Sequence, residues 1–394
     1  MKYYVRVKIL LVFFILSQGL ADCSENKLVS SYANEGIYEA VLRRLDYLVK
    51  DPSIQDYYTI DEHCFKLFAS PEKKQENEYE SIYYFQSKEN HRYLIKPGLK
   101  GKKIAIDPGH LGGQWGFLEG KYLDMQGLSF FEGDLTLLTA YVLKERLEKA
   151  GATVFITRTE AQSVLKENFW SWLRNDLSLI DREIRINPQL KKERTIFYKK
   201  SSLESLFRKY YNRLDLFKRA EIINQFDPDL TIIIHYNMGG RLNSKTGENI
   251  PEQKNMCLVF IPGAFQDNEL KDEDSRLAFK RLALGSHLDQ SIKLAQSFIR
   301  ILENSFEEIE IPGPEYFTRN TCYVSSGVYC RNLLLNRKIK SPLIYGETFF
   351  QDNLKESKYL NDKSLVINNI KGPQRIIEVA EVYFKSISHY YDQM

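Results

Sequence analysis

From Lys102 onward the chain alternates short, almost purely apolar runs with longer stretches of helical periodicity, and few architectures accommodate that alternation. The runs fall at residues 104–106, 153–157, 230–234, 257–261 and 343–345. Several are continuously apolar or β-branched, as strands covered on both faces are, whereas half-exposed strands alternate apolar with polar. Between them, 135–150 reads as an apolar-rich helix stopped by Gly151, and 291–302 as an amphipathic helix. Ser129 and Glu132 have the spacing of a capping box ahead of the first. The expected fold is therefore α/β, with a single mostly parallel or mixed sheet and helices on both faces.

Two segments stand outside this pattern. Residues 160–212 carry no strand signal, but Phe169, Trp172, Leu173, Leu177 and Ile180 recur at helical spacing, as do Leu203, Leu206, Phe207, Tyr210 and Leu214. They read as a helical insertion of two helices, joined by a basic connector containing Lys191, Lys192, Lys199 and Lys200. Residues 22–100 are polar and aromatic-rich, with one helical stretch at 38–48, and read as an N-terminal appendage. Residues 101–390, with this insertion, are the expected main domain.

The first 21 residues have the order of an export signal: Lys2, Arg6 and Lys8, an apolar run at 9–16, then Gly19 and Ala21 ahead of a cleavage point. That run is far shorter than the roughly 20 residues that cross a bilayer, so no transmembrane span is expected in the mature form. The chain is expected to be exported, periplasmic or associated with the cell envelope. Cys23 is a candidate lipid anchor, weakened by Asp22, since the residue before such a cysteine is normally small. Five cysteines are too few, and odd in number, for a disulfide framework, so the core must hold the fold. Cys322 and Cys330 are near enough to pair across a hairpin, and equally suited to remaining reduced.

Charge selects no partner. Lys and Arg number 55 against 52 Asp and Glu, so the molecule as a whole creates no field that would select nucleic acid or an anionic membrane.

Chemistry concentrates where apolar runs end. His110 follows the first run through Asp107, Pro108 and Gly109; His235 directly follows 230–234; Glu347 follows 343–345 and Gly346. In open α/β sheets ligands bind at the carboxyl ends of strands, so residues remote in sequence can meet there. A hydrolytic zinc ion takes three nitrogen or oxygen ligands and keeps one position open. His110 and His235 are two candidates, and Glu132, at the start of the helix after the His110 loop, is the third. Each also has an ordinary structural explanation: a helix-start carboxylate for Glu132, a hydrogen-bonded strand-end residue for each histidine. The other four histidines, His63, His91, His287 and His389, lie in polar or irregular surroundings or near a helix start. No His-Glu-x-x-His, His-x-His, His-x-x-Glu or Gly-x-Ser-x-Gly occurs, which argues against common metallopeptidase spacings and a serine nucleophile elbow.

Four blocks in order carry a resemblance: Ile104-Ala-Ile-Asp-Pro-Gly-His110; Glu132-Gly-Asp-Leu135 with LKERLEKAGATVFITR ending at Arg158; RAEIINQFDPDLTIIIHYN from Arg219 to Asn237; and PLIYGETFFQDN from Pro342 to Asn353. Together they resemble the zinc-dependent N-acetylmuramoyl-L-alanine amidases over about 102–382. The resemblance implies His110, Glu132 and His235 as zinc ligands and Glu347 as the catalytic carboxylate. It implies cleavage of the amide between N-acetylmuramic acid and L-alanine in peptidoglycan, Glu347 taking a proton from the attacking water and returning it to the leaving amine. The alternatives are a zinc peptidase acting on the peptide stem, and an inactive wall-binding or activating protein with the same fold. Leu111 stands where the family usually has glycine, Phe349 and Asp352 replace small residues, and a long stretch before Glu132 offers Glu119 and Asp124 as rival carboxylates. Some relatives carry a helix in the inserted region that covers the zinc until an activator displaces it. By that analogy 170–184 is a cover, with Glu167, Asp176 or Glu183 available to the open metal position and a protein activator as partner.

Overall fold

The structure, a computed structural model, describes residues 36–85, 98–175 and 203–393. The signal segment, Cys23, His91, Asp176, Glu183 and the basic connector lie outside these residues. Among the described residues the appendage holds α1 (Ile37–Leu48) and a three-stranded antiparallel sheet of β1 (Tyr58–Ile60), β2 (Cys64–Leu67) and β3 (Ser81–Tyr84). Next come β4 (Lys103–Pro108), α2 (Gly113–Glu119), the hairpin β5 (Tyr122–Met125) and β6 (Leu128–Phe131), α3 (Glu132–Lys149), β7 (Thr153–Ile156) and α4 (Phe169–Asn175). Beyond residue 202 lie α5 (Leu203–Leu206), a π turn (Phe207–Tyr211), α6 (Asn212–Phe226), β8 (Leu230–Asn237), β9 (Leu258–Ile261), α7 (Glu273–Leu284) and α8 (His287–Ser305). The chain closes with β10 (Cys322–Ser325), β11 (Val328–Cys330), α9 (Leu334–Lys338), β12 (Leu343–Phe350), α10 (Leu354–Leu360) and α11 (Arg375–Asp392).

The apolar runs form one seven-stranded sheet in the order β10-β11-β9-β12-β8-β4-β7. β7, β4, β8 and β12 run parallel, and β9 joins β12 antiparallel. The reason the runs are continuous is visible in their packing. Ile104, Ile106, Ile232, Ile234 and Ile344 face α3, α8 and α11 in the main core. Ala105, Ile233 and Leu343 face the other way, onto Ala220 and Ile223 of α6 and Leu335 of α9. With both faces covered, either parity of a strand residue must be apolar. Among the described residues no helix is long and apolar enough to cross a membrane.

Local details depart from the sequence reading. The expected capping box does not form: Ser129 lies in β6, and α3 starts at Glu132 with Phe131 as its cap and no side-chain capping bond. The competing structure is the tight β5–β6 hairpin, whose two turn residues, Gln126 and Gly127, both have positive φ (52° and 79°), as a type I′ turn requires. Cys322 and Cys330 are direct cross-strand partners, yet both are free thiols. Burial pushes both thiols up, which favours the protonated, unreactive form.

The appendage is packed onto the domain. Val41, Leu45, Leu48 and Phe65 are buried in the main core, and Tyr58 and Phe65 stack beside Phe279 of α7. Asp289 of α8 ties it down, accepting from Arg43 at 2.8 Å and from Arg44 at 2.7 and 2.9 Å. Burial by itself would raise the Asp289 carboxyl; the bonds from Arg43 and Arg44 outweigh it and hold the group below its ordinary value. A carboxylate whose folded value is depressed stabilises above its unfolded value and loses that contribution as pH falls through the folded one. Asp289→Asn should therefore be less stable than wild type by about 1–3 kcal/mol at neutral pH, and urea titrations at decreasing pH should show the gap closing below about pH 4.

Candidate active site

The site is built on the loop that leaves β4. His110 adopts left-handed backbone geometry (φ 54°), which turns the chain sharply at the sheet edge. Gly109 allows this, since a Cβ there would lie 2.2 Å from the His235 ring. The loop carbonyls are gripped from below by two buried arginines. Arg158 donates to Pro108 O (3.1 Å), Gly109 O (3.1 Å) and Gly133 O (2.7 Å), and Arg219 donates to Pro108 O (2.9 Å). Thr136 adds a bond to Gly109 O at 2.6 Å. Arg219 is itself paired to Asp215 at 2.7 Å and faces Asp107 at 3.6 Å, while Asp107 also accepts from Thr157. Burial would drive the charge off Arg219, but Asp215 and Asp107 hold its guanidinium above the usual range.

This support brings three donors together. The candidate ligand atoms of His110, Glu132 and His235 all lie within 4.8 Å of one another, and they are the one such group among the described residues. The two rings meet edge to face with centroids 4.5 Å apart, and His235 stacks on Tyr345 at 4.2 Å. Glu132, the first residue of α3, accepts from Tyr236 N at 3.1 Å through Oε1, which also lies 3.1 Å from His235 Nδ1. Its Oε2 is buried with no hydrogen-bond partner, and Lys121 Nζ approaches it to 3.5 Å. A buried carboxylate oxygen without a partner, beside two imidazoles, is a donor set that fits zinc. Gly133 is required at the next position, because a Cβ there would meet the Leu111 backbone at 2.2 Å.

Glu347 sits on β12 in direct register with His235 on β8. The strands are parallel neighbours, so the two side chains share one face of the sheet. Burial is the main influence on its carboxyl, raising it to about 7; nearby Glu132 also raises it, against His235, Lys121 and Arg331. A cation held among the three donors would draw it down again. Gly346 keeps the strand close to α11, as a Cβ there would lie 2.0 Å from the Tyr383 hydroxyl.

The rival carboxylates separate cleanly. Asp124 is exposed on β5. Glu119 is buried behind His110, with Oε1 2.7 Å from its Nδ1 and Oε2 accepting from Leu111 N at 2.8 Å. Burial raises the Glu119 carboxyl, yet the adjacent His110 and these hydrogen bonds bring it down to about 2. Glu167 is not part of the donor group; its backbone carbonyl accepts from the Tyr211 hydroxyl. The unusual residues also find places. Phe349 has φ 52° and packs edge to face on Phe306 and under Arg375, and Asp352 accepts from Gly239 N and Gly240 N at 3.0 Å each. Leu111 is fully buried with Phe169, Trp172, Leu206, Phe207 and Tyr211, so it seats the inserted helices.

Residue-by-residue reading of the sequence did not single out Arg158, Arg219, Thr136 or Lys121, although Arg158 and Arg219 stand in two of the four blocks. The available signal was an arginine at a strand end and another inside an otherwise core-facing helix, each of which must be paired if buried.

The chain belongs to the family described as N-acetylmuramoyl-L-alanine amidase, whose model matches residues 104–372, more than half of the chain. A curated relative, the "Probable cell wall amidase LytH" of Staphylococcus aureus, is 45% identical over 74 residues, which is 18% of this chain and 23% of that protein. The chain thus spans about a quarter of that relative's length. Among solved structures, the CwlD amidase of Clostridioides difficile in complex with the GerS lipoprotein has TM-score 0.42 and 18% identity, over 74% of this chain and 98% of that one. The amidase Ami1 of Mycobacterium smegmatis gives 0.43 and 13%, over 75% and 100%.

Removing one member of a buried ion pair strands the other. Arg219→Met should cost about 3–5 kcal/mol in chemical denaturation, because Asp215 and Asp107 would both be left buried without their cation.

Proposed function

We propose that the chain is a zinc-dependent amidase that hydrolyses the bond between the lactyl group of N-acetylmuramic acid and the amino group of L-alanine in peptidoglycan. The observation that carries this reading is Glu347 in register with His235, beside a two-imidazole, one-carboxylate donor group. His110, Glu132 and His235 would hold the ion. Bound there, zinc supplies a Lewis acid for the scissile carbonyl and lowers the pKa of a water at the open position. Glu347 takes the proton as water adds to the carbonyl carbon, then delivers it to the nitrogen as the carbon–nitrogen bond breaks. Water's oxygen ends in the lactyl carboxylate and its protons on the freed amine and in solvent, so one amide and one water give one acid and one amine. Tyr345 backs the His235 ring and fixes its plane.

The export signal read in residues 1–21 supports an activity at the cell envelope, where the substrate is. The same reading includes a protein partner acting on the inserted helices at 160–212.

A defined muramoyl-peptide, digested with and without a chelator, tests the assignment. Mass spectrometry should find peptide with a free L-alanine amino terminus and glycan stripped of peptide; cuts within the stem would assign a peptidase instead. Glu347→Gln should bind zinc at one equivalent while losing at least about 100-fold in kcat. His235→Ala should lose zinc itself, measured by metal analysis after dialysis. Zinc retained with no product from wild type would mark an inactive wall-binding protein.

A further inference from the structure

The inserted helices reach the candidate metal ligands through one side chain. α5 and α6 form a continuous helical run interrupted by the π turn, where Asn212 N–H bonds back five residues to Phe207 O. One extra residue in a turn rotates everything after it by about 100°. Two consequences of that turn face the site. Phe207 and Tyr211 are buried against Leu111, the residue next to His110. Asn212 Nδ2 donates to Glu119 Oε1 at 3.1 Å, the same oxygen that lies 2.7 Å from His110 Nδ1. Glu119 Oε2 is taken by Leu111 N at 2.8 Å. Both oxygens of the Glu119 carboxylate therefore carry partners, and one of the three comes from the insertion.

We propose that Asn212 is a positioning residue for the metal site: by fixing Glu119 it holds His110 with Nδ1 turned away and Nε2 presented to the cation. This rests on the zinc reading above and adds that the insertion is part of the site's support. A ligand imidazole must have its other nitrogen bonded to stay in one tautomer and one orientation. Asn212 supplies a donor to the carboxylate that does this, and α2, which carries Glu119, is only seven residues long. Its last residue, Glu119, gains its place from contacts outside the helix. The insertion thus couples to metal affinity directly, and displacing α6 would loosen His110.

The test is zinc affinity of the full chain, measured by competition with a chromophoric chelator, together with the visible spectrum of the cobalt-substituted protein. Asn212→Ala should weaken zinc about tenfold, the value of one hydrogen bond to a charged group, and shift the cobalt bands. Glu119→Gln should weaken it by about 10- to 100-fold. Asn212→Gln, which keeps an amide donor, should restore affinity to within about threefold of wild type, and Asn212→Ala should lower the thermal midpoint more with zinc bound than without it. Wild-type affinity and an unshifted spectrum in Asn212→Ala would overturn the proposal alone, as would an equal loss of stability without metal. A wild-type chain that binds no zinc would overturn the metal reading, and this inference with it.

Discussion

Everything at the sheet edge depends on two arginine side chains buried beneath the loop that leaves the first central strand. Arg158 and Arg219 hold the carbonyls of Pro108 and Gly109 by donation from fixed guanidinium groups. Carbonyls at a strand end have no ladder partner, and burying them unpaired is costly. Here they are paired, and the pairing fixes the backbone from which His110 projects. The cost is moved to the arginines, and Asp107 and Asp215 meet it. That arrangement also links distant parts of the chain, since Asp215 accepts from Ser163 and Val164 N at the start of the insertion. Loop, insertion and sheet are thus one electrostatic unit.

Much of this was legible in the residues. Strands whose both faces are covered must be apolar throughout, so the five runs marked the sheet, and their ends marked the edge where His110, His235 and Glu347 lie. The helix from Glu132 was legible as a helix, but its start was not. The capping-box pattern of Ser129 and Glu132 was real as spacing, and the Gln126-Gly127 turn overrode it by drawing Ser129 into a strand. β10 and β11 escaped notice because they are four and three residues long and carry a glycine turn between them. The antiparallel direction of β9 could not be read either, because direction is set by how the connection crosses the sheet and leaves no mark in the strand itself.

The part of the site that was hardest to read is the part that acts through other residues. A ligand stands at a strand end and announces itself by residue type. Glu119 looked like a competitor for the metal because a carboxylate near a histidine has two uses, and only geometry separates them. Both of its oxygens already carry partners, in His110, Leu111 and Asn212. Glu132 is the converse, with one oxygen left over. Counting the partners of each oxygen distinguishes the two roles where sequence position does not.

The donors His110, Glu132 and His235 come from a loop, a helix start and a strand, and more than a hundred residues of chain separate the outer two. Contacts of that sequence separation close late in folding, after the loop entropy has been overcome. An ion at this place therefore cannot template the early steps as it does in a small zinc module. It would arrive when the sheet is complete, and its binding free energy would then add to the stability of the finished domain in proportion to the logarithm of free ion over dissociation constant. Where metal supply fluctuates, the lifetime of the folded chain would follow the supply.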